Sequence, residues 1–223
     1  AQKAPLELYD SKVESLPVIT GKINTISKNE LYWLFTTEDL KVDVSQKGIA
    51  QLYQKSVEET HKLANRVKVA TPDPYINTLG SALSIAADGI WESPAYLHGA
   101  IAWRMHLNAW RGAYIADPLG WHDRAKTHFT SYSNSQVIKP LSGPVVLDSV
   151  RNFARQKEEI GTSMFSSGYI SRKPDNNTIA HHYDMNLVFF DQMLRHFKWT
   201  GDTSYIKEMW PTIQRHLDWE KRN

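Results

Sequence analysis

The chain has 223 residues, 41% hydrophobic and 22% charged, the balance of a folded globular protein and not of a disordered one. Its formal charge is 26 − 24 = +2 with no block of five like charges, which argues against a nucleic-acid or anionic-membrane binder. Cysteine is absent, so disulfide scaffolds, thiolate-bound metals, Fe–S clusters and thiol nucleophiles are excluded, and no apolar run approaches the ~18 residues of a membrane span.

Residues 1–44 read as a short β-rich segment. Pro17–Ile23 and Leu31–Phe35 are β-branched or aromatic runs separated by Gly, Asn and Ser. Two strands alone make no stable sheet, so the segment reads as the edge of a β-domain or as a hairpin packed on helices. From Ser45, an N-cap by type, the period becomes helical: Ile49, Leu52, Tyr53, Val57, Leu63, Ala64 and Val67 recur on one face. This linker helix, within residues 45–72, ends before Thr71-Pro72-Asp73-Pro74, because a proline disfavours helical backbone in the residue before it.

Residues 73–223 form the remaining region. A helix is predicted over Tyr75–Ile90, then a loop bracketed by Pro94 and Gly99, then another at Pro118 and Gly120. Val145–Ile160 reads as a helix, with Glu158 and Glu159 on its solvated surface, and 161–177 as a long loop. The last stretch reads as an αα-hairpin. One helix begins near Asp184 with Leu187, Phe190, Leu194 and Phe197 on a face; Thr200-Gly201-Asp202 stops it and caps the next. The partner helix carries Ile206, Met209, Trp210, Ile213 and Leu217, with Pro211 either kinking or restarting it. Glu220–Asn223 falls within a helical pattern that has no stop, which predicts a polypeptide continuing past Asn223. The fold class is mainly α, built of antiparallel hairpins.

Three constellations carry the candidate chemistry. Between residues 103 and 124 lie three Trp, three Arg, two Asp, two His and a Tyr. Flat aromatic faces stack on sugar rings while Arg, Asp and His bond hydroxyls or carboxylates, so this mixture suits a carbohydrate cleft. A Trp-rich amphipathic core accounts for any one of these Trp; the cluster together points to a site. The second constellation is His181-His182-Tyr183-Asp184-Met185-Asn186, at the entry to the hairpin. Helix capping is an ordinary role for Asp184, but the two His, the Tyr and the Asn beside it converge on one place. The third is Asp88 and Glu92 with Tyr96 and His98, where a solvated carboxylate is the simpler account. Adjacent histidines do not readily converge on one ion and no His-x-x-x-His occurs, so no metal and no cofactor is predicted. No P-loop, Gly-x-Gly-x-x-Gly or Gly-x-Ser-x-Gly elbow is present.

The stretch from Tyr183 to Asn223, with its Thr-Gly-Asp turn and its Trp-Pro-x-Ile-x-x-x-Leu-x-Trp pattern, resembles one hairpin of the six-hairpin, (α/α)6-toroid glycosidases. The run from Ala109 to Phe129 resembles a barrel-mouth segment in a bacterial branch of that clan. There a β-sandwich and linker helix often precede the toroid, which would suit residues 1–44 and 45–69. The resemblance implies a partial toroid, completed beyond Asn223, and a glycoside hydrolase acting on a complex poly- or oligosaccharide. Glycosidic cleavage needs a carboxylic acid and a second carboxylate as base or nucleophile. On this reading Asp184 or Asp117 takes one of these roles, with Glu92 in reserve. Trp110, Arg111, Trp121, His122, Asp123, Arg124, His181, His182, Tyr183 and Asn186 would bind the sugar. A lyase on the same toroid would use Tyr183 or His182 as base and Arg111 or Arg124 against a uronate; a non-catalytic module would only stack on glycan. The lack of thiols fits a periplasmic or secreted protein.

Overall fold

The computed structural model describes residues 30–36, 41–99, 103–110 and 112–223. The chain divides into two compact units, Ala1–Glu58 and Glu59–Asn223. The described residues are mainly α with one small antiparallel sheet. None of their helices is long and apolar enough to cross a membrane.

In the first unit the strand expected over 17–23 lies outside the described residues. The one expected over 31–35 does not form. The reason is local: the Gln46 amide takes both backbone groups of Tyr32, accepting from its N–H and donating to its carbonyl at 3.2 Å each. Those are the groups a strand would offer to a neighbour. Helix α1, Gln46–Ala64, starts as its sequence predicts, with Ser45 Oγ accepting from the Gly48 N–H at 3.1 Å.

In the second unit the expected Tyr75–Ile90 helix is two helices, α2 (Pro74–Asn77) and α3 (Leu79–Gly89), meeting at Thr78. Asp73 caps α2 by accepting from Tyr75 and Ile76, and Pro74 supplies the preset first-turn φ. The expected loop after Glu92 is instead a three-stranded meander. Strands β1 (Trp91–Glu92), β2 (Ala95–His98) and β3 (Met105–His106) pair in that order, with Trp91 opposite Tyr96 and Leu97 opposite His106. Pro94 sits in the turn, where its missing N–H costs the ladder nothing. Ala95, Tyr96 and Leu97 are buried in succession, so β2 shows none of the alternation that marks a half-exposed strand.

Helix α4 (His122–Ser133) buries Ala125, His128, Phe129 and Tyr132 at helical spacing, and it packs on β2 and on the final hairpin. That hairpin forms as expected from α5 (Met185–Thr200) and α6 (Thr203–Arg222). Gly201 ends α5 in the left-handed region at φ 62°, and Asp202 accepts from the Tyr205 N–H at 2.9 Å. Helix α6 runs through Pro211. The buried face differs from the expected one. Phe190 and Phe197 are buried, but Leu187 and Leu194 are about half exposed, and Phe189, Met193 and His196 take the core positions. Likewise Met209 and Ile213 are buried while Trp210 and Leu217 are half exposed, with Tyr205, His216 and Trp219 inside.

The helix expected over Val145–Ile160 is absent. The segment doubles back: Asp148 N–H donates to the Arg155 carbonyl and Lys157 N–H to Val146, with a left-handed Asn152 at the turn. Its apolar residues Val145, Leu147 and Val150 are exposed, so a helix here would have had no buried face to stabilise it. Glu158 follows this ribbon and is therefore not part of a solvated helix surface. A second small core gathers Val137, Phe165, Tyr169 and Trp219, with Ile160, Met164, Ala180 and Tyr183 packed against it. Gly168 permits it: at φ 105° its Cα lies so near α6 that a Cβ would fall 2.3 Å from the Arg215 carbonyl oxygen.

Candidate functional site

Two polar constellations lie at opposite ends of α5. At its C-terminal end, the Asp117 carboxylate is buried between two imidazoles. His122 Nδ1 lies 2.7 Å from Oδ1, and His196 Nδ1 lies 2.9 and 3.0 Å from the two oxygens. A carboxylate oxygen accepts, so each Nδ1 is the ring nitrogen that donates toward Asp117, and each Nε2 is turned away from it. His122 belongs to the first turn of α4 and His196 to the buried stripe of α5, so Asp117 joins two helices at one point. Asp117 also lines a cleft of about 470 Å³ with Tyr114, Gln192, Arg195 and Trp199.

A larger hollow of about 720 Å³ adjoins through Arg195 and Trp199 and reaches Asp191 and Lys198. The Tyr114 hydroxyl donates to Asp191 Oδ2, and Arg195 Nε donates to the same oxygen at 2.9 Å. Burial and then Asp191 push the Tyr114 hydroxyl up to about 12. The Tyr114 hydrogen bond, then Arg195, hold Asp191 below the usual carboxylate range. The Arg195 guanidinium also lies over the Tyr114 ring, 5.2 Å from its centroid.

The other sequence candidates near this cluster are arranged differently from the expectation. Trp121 lies under the guanidiniums of both Arg66 and Arg124, at 4.7 and 4.4 Å. Arg124 is further held by Asp88 at 2.8 Å. Trp110 is partly exposed at φ 122°; its carbonyl accepts from Gln192 and its ring meets His98 edge-on. Asp123 is exposed and borders a separate hollow with Lys126, Asn134 and Asp175. Glu92 is exposed and paired with Arg104 at 2.6 Å, which holds its carboxyl low. Arg111 lies outside the described residues.

At the N-terminal end of α5, Asp184 is exposed and makes no capping hydrogen bond. It lies 12 residues from His196, about 18 Å along the helix axis at 1.5 Å per residue. Asn186 is fully buried, and its amide clasps the backbone of Ile170, accepting from the N–H at 2.5 Å and donating to the carbonyl at 3.3 Å. Tyr183 packs on Trp219 with ring centroids 5.1 Å apart, and its hydroxyl is raised by burial and by Glu220. His181 and His182 stand together, ring centroids 3.7 Å apart, beside Glu158.

His196, Gln192, Arg195 and Trp199 escaped the sequence reading, while Tyr114 is the tyrosine of its first constellation. The available signal was His196 and Gln192 themselves, polar residues in register with Phe189 and Met193 on the stripe a helix buries. Comparisons of this chain with protein-family models, with curated proteins and with solved structures found no match.

Proposed function

We propose that this chain is part of a glycoside hydrolase of the (α/α)6-toroid kind, periplasmic or secreted, acting on a complex poly- or oligosaccharide. The observation that supports the reading is the Asp117 carboxylate, gripped by His122 and His196, on a residue that lines a cleft with Tyr114, Trp199, Gln192 and Arg195. Aromatic faces beside amide, guanidinium and carboxylate groups are what a sugar ring with its hydroxyls requires. The α5–α6 hairpin, with its Thr-Gly-Asp turn, is consistent with the same reading.

Asp117 acts as base or nucleophile. A pair acting on one glycosidic bond stands roughly 5–5.5 Å apart in retaining enzymes and 6.5–9.5 Å in inverting ones. Asp184, about 18 Å along the helix from His196, does not fit that spacing with Asp117. Asp191 is held ionised by Tyr114 and Arg195, so it does not serve as the proton donor. The test is a glycan panel with the full-length polypeptide from its source. Reducing ends should appear, and Asp117→Asn should lower turnover at least ~100-fold with folding intact. An unchanged rate for Asp117→Asn sinks the assignment.

One observation favours a second reading. His122 is half exposed, oriented through Nδ1 by Asp117, and so offers Nε2 as a base, while Arg195 stands in the adjacent cleft to neutralise a uronate carboxylate. A lyase of this kind yields an unsaturated product with new ultraviolet absorbance, which hydrolysis does not. Saturable glycan binding without product would leave the non-catalytic module.

A further inference from the structure

The cluster at the N-terminal end of α5 has the composition and placement of a metal site. Glu158, His181 and His182 each offer one ligand atom, and these atoms lie within 4.8 Å of one another. His181 Nδ1 is 3.3 Å from Glu158 Oε2. Two ligands each about 2.0–2.1 Å from a tetrahedral ion are separated by about that distance.

Neighbouring histidines on an extended or helical backbone point apart. Here His182 has φ 51°, in the left-handed region that a residue with a Cβ seldom occupies, and the two rings come to 3.7 Å. The surroundings fix the ligands further. The buried Tyr169 hydroxyl donates to the His181 carbonyl at 2.6 Å and accepts from the His181 N–H at 2.8 Å, clamping that peptide. Glu158 Oε1 accepts from the His182 N–H at 3.2 Å and from Arg155 at 3.3 Å, which leaves Oε2 turned to His181. Arg155 is itself drawn toward the buried Asp148 at 3.3 Å. Such outer contacts orient metal-bound carboxylates and imidazoles.

We propose that Glu158, His181 and His182 bind one divalent transition ion of the zinc type, with an open position toward solvent. The two imidazole nitrogens are borderline ligands that suit Zn²⁺ over the oxygen-seeking Ca²⁺ or Mg²⁺, and two His with one Glu is a three-ligand set that leaves a position for water. Bound there, the ion ties the ribbon that carries Glu158 to the entry of α5. The inference does not depend on the proposed glycosidase activity, since Asp117 and His196 stand at the far end of the helix.

The chain, stripped with a chelator, is titrated with Zn²⁺ by calorimetry and then studied by zinc-edge X-ray absorption. One equivalent should bind in the micromolar range or tighter, with nitrogen and oxygen neighbours at about 2.0–2.1 Å and imidazole scattering. His182→Ala, whose exposed ring leaves the core untouched, should weaken binding at least ~10-fold, as should Glu158→Gln, while Asp117→Asn binds as the parent does. Zn²⁺ should raise the melting temperature of the parent and not of His182→Ala. A dissociation constant weaker than about 1 mM, or equal binding by His182→Ala, overturns the site.

Discussion

The two ends of α5 use the same three groups, a carboxylate and two imidazoles, to opposite effect. At the C-terminal end the Asp117 and His196 side chains are 5% and 2% exposed; at the N-terminal end Glu158 and His181 are 18% and 26% exposed. His196 projects from the helix itself into the core, so Asp117 is desolvated whenever the helix is docked. His181 and His182 precede the helix and sit on a loop held from outside by Tyr169. The first cluster is thus part of what folding must satisfy, while the second rests on a frame that folds without it. Burial, not residue type, separates a group whose truncation costs the fold several kcal/mol from one whose truncation removes only a ligand.

The sharpest test of that contrast is stability. His196→Ala leaves the Asp117 carboxylate buried with only the half-exposed His122 as its imidazole partner. The expected cost is about 3–5 kcal/mol in urea unfolding, the price of breaking a buried pair from one side. His182→Ala in the metal-free chain should change stability by no more than about 0.5 kcal/mol. Equal costs at the two ends would erase the distinction.

The core between the two ends links them through stacked rings. Phe190 and His216 lie parallel at 3.7 Å, His216 stacks on Trp219, and Trp219 meets Tyr169 and Tyr183 beneath the His181 loop. Trp219 is fully buried and donates through Nε1 to the Met164 carbonyl at 2.9 Å. Trp219→Phe loses that bond and opens space beside His216, for an expected cost of about 2–3 kcal/mol. Because Trp219 supports Tyr169, the same variant should weaken Zn²⁺ binding while leaving Asp117 chemistry intact.

Two core histidines set the acid limit. Burial lowers His128 to about 3 and His216 to about 4, well below the ordinary value near 6.5. Their folded forms are neutral, so the unfolded chain binds more protons below pH 6.5. The stability they contribute is complete above that pH and is lost as pH falls toward 4. His216→Phe keeps the ring stack and should remove on the order of 2 kcal/mol of the loss between pH 7 and pH 4. A parent and variant with identical pH profiles would show that His216 titrates normally in the fold.

The parts of this molecule legible in the sequence were those governed by local chemistry. The α5–α6 hairpin follows from Thr200-Gly201-Asp202, a left-handed stop and a cap, and the start of α1 follows from Ser45. What escaped was set by burial. Leu194 and Phe197 are equally apolar, yet one is exposed and the other buried, because tertiary neighbours and not hydropathy choose the face. The Val145–Ile160 segment has helical spacing but no surface to bury it against. Asp117 stood out by composition, while its partner His196, 79 residues on, carried only the faint mark of a polar residue on a buried stripe.

The smallest expected effect tests the third constellation. Glu92 is exposed, its carboxyl is held low by the Arg104 guanidinium, and it belongs to neither end of α5. A carboxylate kept ionised in water by an arginine is poorly suited to donate a proton at neutral pH. Glu92→Gln should therefore leave both glycan turnover and Zn²⁺ affinity within twofold of the parent, because an exposed ion pair contributes little and is screened by salt. A tenfold loss of turnover would instead place the β1–β2 edge in the substrate cleft, and the opposition of two ends would have to become three.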